Sequence, residues 1–358
     1  MALLVQVRGI LRRQARKTLS KKMGHSILYA LDKLVLELHS NEEDSEDLGR
    51  LLRELSWASI RSSSCKPTLQ LSVRPNYGRF RIPENCHEVL RTDEFFGFEV
   101  GDDFFLTDGS SVFHLRPSKG EAVAQVAPSF FTKPKLAQAN FWSFGLLKLL
   151  RPLGIYSLHA AGLATKDGEG VLVVGPSGSG KSTLAIGLIR AGWGYLSDDA
   201  VLLRAGSQGV EALACRRSFY IDAVRSGDYS GLWVGDEEPD SAGGRHCRLG
   251  IREAYPKQER ARCLPRIVLF TRIIGQNQST LNPVDRVHAL GVLLSQSAPQ
   301  LFDRCTMEPH LELLKNLLQQ TQTYELNAGS DLYREPAKLV ALIQEARGER
   351  HCRESSLS

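Results

Sequence analysis

The run Gly175-Pro176-Ser177-Gly178-Ser179-Gly180-Lys181-Ser182-Thr183 satisfies the spacing G-x-x-x-x-G-K-[ST] and follows the hydrophobic stretch "VLVV". Glycines at these places permit positive φ and let backbone N–H groups approach phosphate oxygens. The start of the following helix adds partial positive charge. In that chemistry Lys181 bridges the outer phosphates of a nucleoside triphosphate, and the Ser182 hydroxyl holds Mg²⁺. The segment "LSDDAVLL", 17 residues past the lysine, carries Asp198 and Asp199, the strand-end carboxylates nearest to the loop in sequence. Adjacent side chains on a continuing strand point to opposite faces. One aspartate then suits the metal and the other an incoming hydroxyl; a plain pair of turn aspartates is the alternative. His159, in "SLHAAGL", falls on a strand one hairpin before the loop. Its position leaves packing and catalysis both open.

Elements that would position these groups follow from periodicity and punctuation. "IYSLHAAGLA" and "GEGVLVVG" read as strands joined at Lys166-Asp167-Gly168. A helix runs from Ser182 to Ala191 with Gly192 after it, and "WGYLS" gives a strand ending at Asp198. "RIVLF" and "TYEL" are later buried strands, and Pro309 and Pro336 stand near the starts of helices. "RIVLF" is followed by Thr271 and Arg272 rather than an acid, so the metal-supporting aspartate of an ordinary P-loop hydrolase is missing there. Residues 224–262, rich in Gly, Ser, Asp, Glu and Arg, read as a long mobile loop. Upstream, 24–60 reads as helical, with Ile27, Leu31, Leu34 and Leu38 on one side. Residues 68–126 read as a small antiparallel meander, and Lys135 to Leu150 as a helix stopped by Pro152. The expected organisation is a basic, helical segment 1–60, a smaller α+β domain 61–151, an α/β phosphate-loop domain 152–346 and a disordered tail 347–358.

The chain's 358 residues are 42% hydrophobic and 24% charged, ordinary for a globular protein. No apolar run approaches the roughly 18 residues that cross a membrane, and the Arg-interrupted start does not read as a secretory signal. Seven scattered cysteines without a C-x-x-C pair suit a reduced cytoplasm. Cys86-His87, His246-Cys247 and His351-Cys352 are adjacent pairs, which zinc spacing disfavours. Of the 45 basic residues, seven precede the first acid, Asp32; the remaining 38 face 40 acids. The net charge of +5 is therefore a local feature of the N-terminus, which suits an anionic partner or a solvated leading helix. No specific nucleic acid is expected.

Taken together, "SLHAAGL", "GPSGSGKST" and "LSDDAVLL" resemble the HPr kinase/phosphorylase family in order and spacing, over about residues 155–204. The resemblance implies a kinase domain with a mixed sheet, similar to that of phosphoenolpyruvate carboxykinase. It implies ATP and Mg²⁺, with the loop 175–183 and Lys181 on phosphates, Ser182 and Asp199 on the metal, Asp198 as base and His159 near the acceptor. Thr183 stands where the family usually has Glu, and "ACRRSFYID" replaces its downstream signature. The chain is closer to divergent HPr kinase-related proteins, some of which accompany peptide-maturation genes. Arg216, Arg217, Arg266 and Arg272 are candidates for the missing positive charge at the phosphates.

The expected activity is transfer of a γ-phosphate to a serine hydroxyl of a protein or peptide. Alternatives are a nucleotide-binding regulatory protein without transfer and a kinase for a small metabolite such as free serine. For the first 150 residues, acceptor binding, homo-oligomerisation as in related kinases, and docking onto a maturation partner all stand open.

Overall fold

The computed structural model describes residues 25–61, 66–76, 82–216, 218–229, 231–232, 234–239, 244–297 and 305–355. The basic stretch before residue 25, Arg217 and the last three residues lie outside them. Among the described residues, the N-terminal half is one nine-stranded mixed sheet carrying two α-helices. Its strands are β1 (His25–Leu31), β2 (Leu34–Ser40), β3 (Ala58–Ile60), β4 (Leu69–Pro75), β5 (His87–Arg91), β6 (Phe96–Val100), β7 (Asp103–Thr107), β8 (Val112–Arg116) and β9 (Glu121–Val126). The helices are α1 (Glu42–Glu54) and α2 (Lys135–Leu150). Strand order is β3-β1-β2-β4-β9-β8-β7-β6-β5.

The helix expected over 24–40 is replaced by the β1–β2 hairpin, turning at Asp32 with φ 51°. Ile27, Leu31, Leu34 and Leu38 fit a helical spacing, but Tyr29, Leu31, Leu36 and Leu38, the side chains actually buried, fit an alternating one. Short apolar runs satisfy both periods, and pairing in the sheet decides. The meander is present from β5 to β9, but β4 pairs in parallel with β2 and β9 and extends it. On α2, a Cβ at Gly145 would overlap the fully buried Phe113 ring, which is wedged against Phe141 and Trp142. Gly145→Ala should therefore lower stability by about 1–3 kcal/mol, against the helix preference for Ala, seen as a lower Tm.

The second half has three sheets. Its strands are β10 (Ile155–Leu158), β11 (Ala160–Ala164), β12 (Gly170–Val174), β13 (Gly194–Ser197), β14 (Val201–Gly206), β15 (Gly209–Ala214), β16 (Phe219–Asp222), β17 (Val234–Pro239), β18 (Arg245–Leu249), β19 (Arg262–Cys263), β20 (Pro265–Ile273), β21 (Thr280–Pro283) and β22 (Gln322–Ala328). Its helices among the described residues are α3 (Lys181–Arg190), α4 (Ile251–Ala254), α5 (Arg286–Ser295), α6 (Met307–Gln320), α7 (Ser330–Arg334) and α8 (Lys338–Ser355). The six-stranded sheet runs β13-β11-β12-β20-β22-β21, with β12, β20 and β22 parallel. Every residue of β11, β12 and β13 is buried, because both faces are covered. Val171 and Val173 face α3 and α7, whereas Leu172 and Val174 face α5 and α6.

The four-stranded sheet β10-β14-β15-β19 lies between the two halves. Leu202 and Leu213 join the core of the nine-stranded sheet, and Leu203 and Ala212 join that of the six-stranded one. Residues 224–262 are not a mobile loop where described: β18 pairs with both β16 and β17, and Cys247, Leu249 and Ile251 are core. Apolar residues at 247 and 249 carried a short alternating signal within the polar stretch. Helix α8 continues through most of the tail expected to be disordered, on a sequence rich in helix-forming Ala, Glu and Arg.

Candidate active site

The stretch "IYSLHAAGLA" is not one strand. It breaks at His159, with β10 in the four-stranded sheet and β11 in the six-stranded sheet. The chain makes the same crossing between β13 and β14, at Asp198 and Asp199. Because β10 pairs with β14 and β11 with β13, the two breaks lie side by side. His159 and the aspartates are thereby freed from both ladders and brought together.

The glycine-rich loop joins β12 to α3. Gly178 and Gly180 adopt φ 78° and 91°. At Gly175 a Cβ would lie 2.6 Å from Ser179 Oγ and 2.7 Å from the Thr271 carbonyl, so only glycine fits. Pro176, Ser177 and Gly178 form the exposed lip, and Ser179 and Lys181 are buried. Lys181 Nζ donates to the carbonyls of Gly175 and Pro176 at 2.8 and 3.0 Å and to His159 Nε2 at 2.8 Å. An ammonium can only donate, so Nε2 accepts and Nδ1 carries the proton. Nδ1 stands 3.1 Å from Asp199 Oδ1. The other Asp199 oxygen accepts from Arg216 Nη1 at 3.0 Å. Arg216 Nη2 continues to Asn140 on α2 at 2.9 Å, and Asn140 to Glu94 at 3.1 Å.

Asp198, 2% exposed, accepts from the Ser182 hydroxyl at 3.0 Å. The sequence expectation had Asp199 beside Ser182 and Asp198 toward the acceptor; the structure places them the other way round. Asp199 has φ 66°, so the chain reverses there and strand alternation does not apply. Asp198 turns in toward the start of α3, and Asp199 turns out toward His159 and Arg216. Burial first, and then the charge of Asp199, push the Asp198 carboxyl up to about 7, against the Ser182 bond and Lys181. Burial also draws Asp199 upward, but the His159 bond and the charges of Arg216, His159 and Lys181 outweigh it and hold the carboxyl well below its ordinary range. Its side chain is 44% exposed, so water screens part of that pairing. Burial lowers Lys181, more than the two aspartates raise it.

The native state thus holds the Asp198 proton more tightly than the unfolded chain does. Metal-free protein should lose stability as pH rises from the ordinary carboxylate range to about 7, by on the order of a few kcal/mol. Asp199, shifted the other way, gives up its contribution only at more acid pH. Asp198→Asn should remove the first slope, so that in EDTA its Tm exceeds that of the parent increasingly toward pH 7. Parallel Tm curves would exclude a buried, titrating Asp198.

The residues fit a nucleotide and its metal. The buried Ser179 hydroxyl, inside the loop, has no hydrogen-bond partner in the structure. Ser182 and Asp198 offer a hydroxyl and a buried carboxylate side by side. No cluster of three His, Cys, Asp or Glu side chains able to hold a metal occurs among the described residues. Mg²⁺ commonly uses one or two carboxylates and completes its shell with phosphates and water.

Thr183 turns away from the loop toward the Tyr229 hydroxyl at 3.5 Å. Of the candidate arginines, Arg216 reaches the site. Arg266 is exposed on β20, and Arg272 pairs with Asn327 and Glu325 on the surface. Asn140 and Glu94 were missed; nothing in a mostly apolar helix or a meander turn marks them before folding.

Fold and site define a mixed α/β chain in which a glycine-rich loop ends beside a His–Asp pair. No family model matches the chain. An HPr kinase/phosphorylase of Chlorobium chlorochromatii (strain CaD3) is 41% identical over 68 residues, 19% of this chain and 20% of that protein. One from Chlorobium phaeovibrioides (strain DSM 265 / 1930) is 29% identical over 97 residues, 27% of this chain and 29% of that protein. The chain thus spans less than a third of the length of the curated relatives it matches. A solved structure, the HPr(Ser) kinase/phosphatase from Coxiella burnetii, aligns at 11% identity and a TM-score of 0.28, covering 55% of this chain and 98% of that one. Over those 68 and 97 residues the chain is similar to HPr kinase/phosphorylases. No helix among the described residues is long and apolar enough to cross a membrane.

Proposed function

We propose that this protein is a cytoplasmic ATP- and Mg²⁺-dependent kinase that phosphorylates a serine hydroxyl of a protein or peptide. The observation that carries the reading is the chain of contacts from the Lys181 ammonium through His159 to Asp199 at the mouth of the glycine loop. The names of the curated relatives support the same class.

ATP supplies the phosphoryl group, and Mg²⁺ neutralises charge on the phosphates. Lys181 and the first backbone N–H groups of α3 hold the outer phosphates. Ser182 and Asp198 hold the metal. Asp199, fixed by His159 and Arg216, accepts the hydrogen bond of the acceptor hydroxyl. The serine oxygen bonds to the γ-phosphorus as the bond to the β–γ bridging oxygen breaks; ADP leaves, and the proton passes to Asp199. A loose phosphoryl-transfer transition state demands little prior proton removal, so a weakly basic but well-oriented carboxylate is adequate. The assay is transfer of label from [γ-³²P]ATP to seryl peptides and proteins by the full chain, with Mg²⁺ or EDTA. Tight ATP binding without label on any acceptor would reduce the protein to a nucleotide sensor.

A further inference from the structure

Beyond the His159–Asp199 pair lies a cleft of about 460 Å³, within the range of small-ligand sites. His159, Asp199 and Arg216 stand at its edge, and no residue of the glycine loop lines it. Its wall is built by the other half of the molecule: Leu90 on β5, Phe104 on β7, and Phe144 and Leu147 on α2. Leu90, Phe144 and Leu147 pack on the core of the nine-stranded sheet but remain partly exposed. Phe144 stacks on Phe104 at 6.4 Å, and Lys148 Nζ covers the Phe104 ring at 4.7 Å. The apolar surface is therefore held in place before anything binds. The glycine loop reaches His159 through Lys181, while the cleft is lined by His159 and Asp199 and by no loop residue, so a donor and an acceptor can each reach the pair through separate surroundings.

We infer that this cleft is the acceptor pocket, and that it takes a serine-bearing peptide segment with a bulky apolar side chain beside the serine. The inference rests on the kinase reading above. With the serine oxygen at Asp199, a neighbouring apolar side chain covers Leu90, Phe144 and Leu147 and removes their exposed surface from water. A polar acceptor such as free serine leaves that wall solvated and gains nothing from it. Burying one large apolar side chain corresponds to about a tenfold to hundredfold preference. The reaction is unchanged: the serine oxygen receives the phosphoryl group, ADP leaves and the proton goes to Asp199.

The test uses the full chain, MgATP and two synthetic heptapeptides, each with a central serine flanked on both sides by phenylalanine or by asparagine. The phenylalanine peptide should show a kcat/KM about tenfold or more above the other. Leu147→Trp and Leu90→Trp fill the cleft from separate elements, and each should abolish that preference while ATP still raises Tm as in the parent. Equal kcat/KM for the two peptides, or a preference surviving in both variants, overturns the pocket. ATP binding without phosphate on either peptide overturns the pocket but leaves kinase activity on a folded protein. Failure of ATP to bind the parent protein overturns both.

Discussion

Asp199→Asn should lower kcat for phosphotransfer by a factor on the order of 10²–10⁴ while leaving ATP affinity close to that of the parent. The carboxylate is the cleft-facing member of the pair, and His159 Nδ1 and Arg216 Nη1 clamp both of its oxygens. An amide of the same shape keeps the volume but presents one donor to groups that themselves donate. The acceptor hydroxyl then loses its oriented partner. Asp198→Asn should behave differently, raising the Mg²⁺ concentration needed for half-maximal rate, because Asp198 sits on the Ser182 hydroxyl. Single-turnover rates at saturating and limiting Mg²⁺ separate the two. A variant pair with these phenotypes exchanged would restore the division of labour expected from sequence and refute the geometry described above.

Lys181→Ala should cost about 10²–10³ in phosphotransfer and also abolish the rise in Tm that ATP produces. Unlike Asp199→Asn, it acts on the phosphates themselves. The buried ammonium is held by two loop carbonyls and His159 Nε2, with both aspartates nearby. Its removal also frees Nε2 from the charge that sets the tautomer, so His159 no longer presents a fixed Nδ1 proton to Asp199. Calorimetry with and without MgATP, beside the labelled-transfer assay, reads both losses. A persistent ATP-induced shift would place the nucleotide elsewhere.

Local pattern made much of the frame legible. The strand, glycine loop and helix around Lys181 needed only a hydrophobic run, glycines and a helix-forming segment, all within 21 residues of chain from 170 to 190. Helix α2 was visible between its flanking prolines, and β6 to β9 in their turn residues. Where two periods fitted the same apolar residues, as in β1 and β2, the sequence could not choose, because the choice depends on partner strands far along the chain. In 224–262 the alternation was too short to outweigh a polar composition.

The sequence by itself determined that phosphate could be bound at 175–183 and that a histidine and two aspartates stood near in order. Those properties depend on residue type and short spacing, which the backbone reads locally. Only the tertiary structure decided which aspartate faces which partner, since that follows from a left-handed turn at Asp199 and from two strand breaks lying side by side between separate sheets. It also decided that Arg216 belongs to the site, that Asn140 and Glu94 extend its hydrogen-bond chain, and that Leu90, Phe144 and Leu147 wall the cleft beside it. These residues are tens of positions apart, and long-range packing of the two halves is what brings them together.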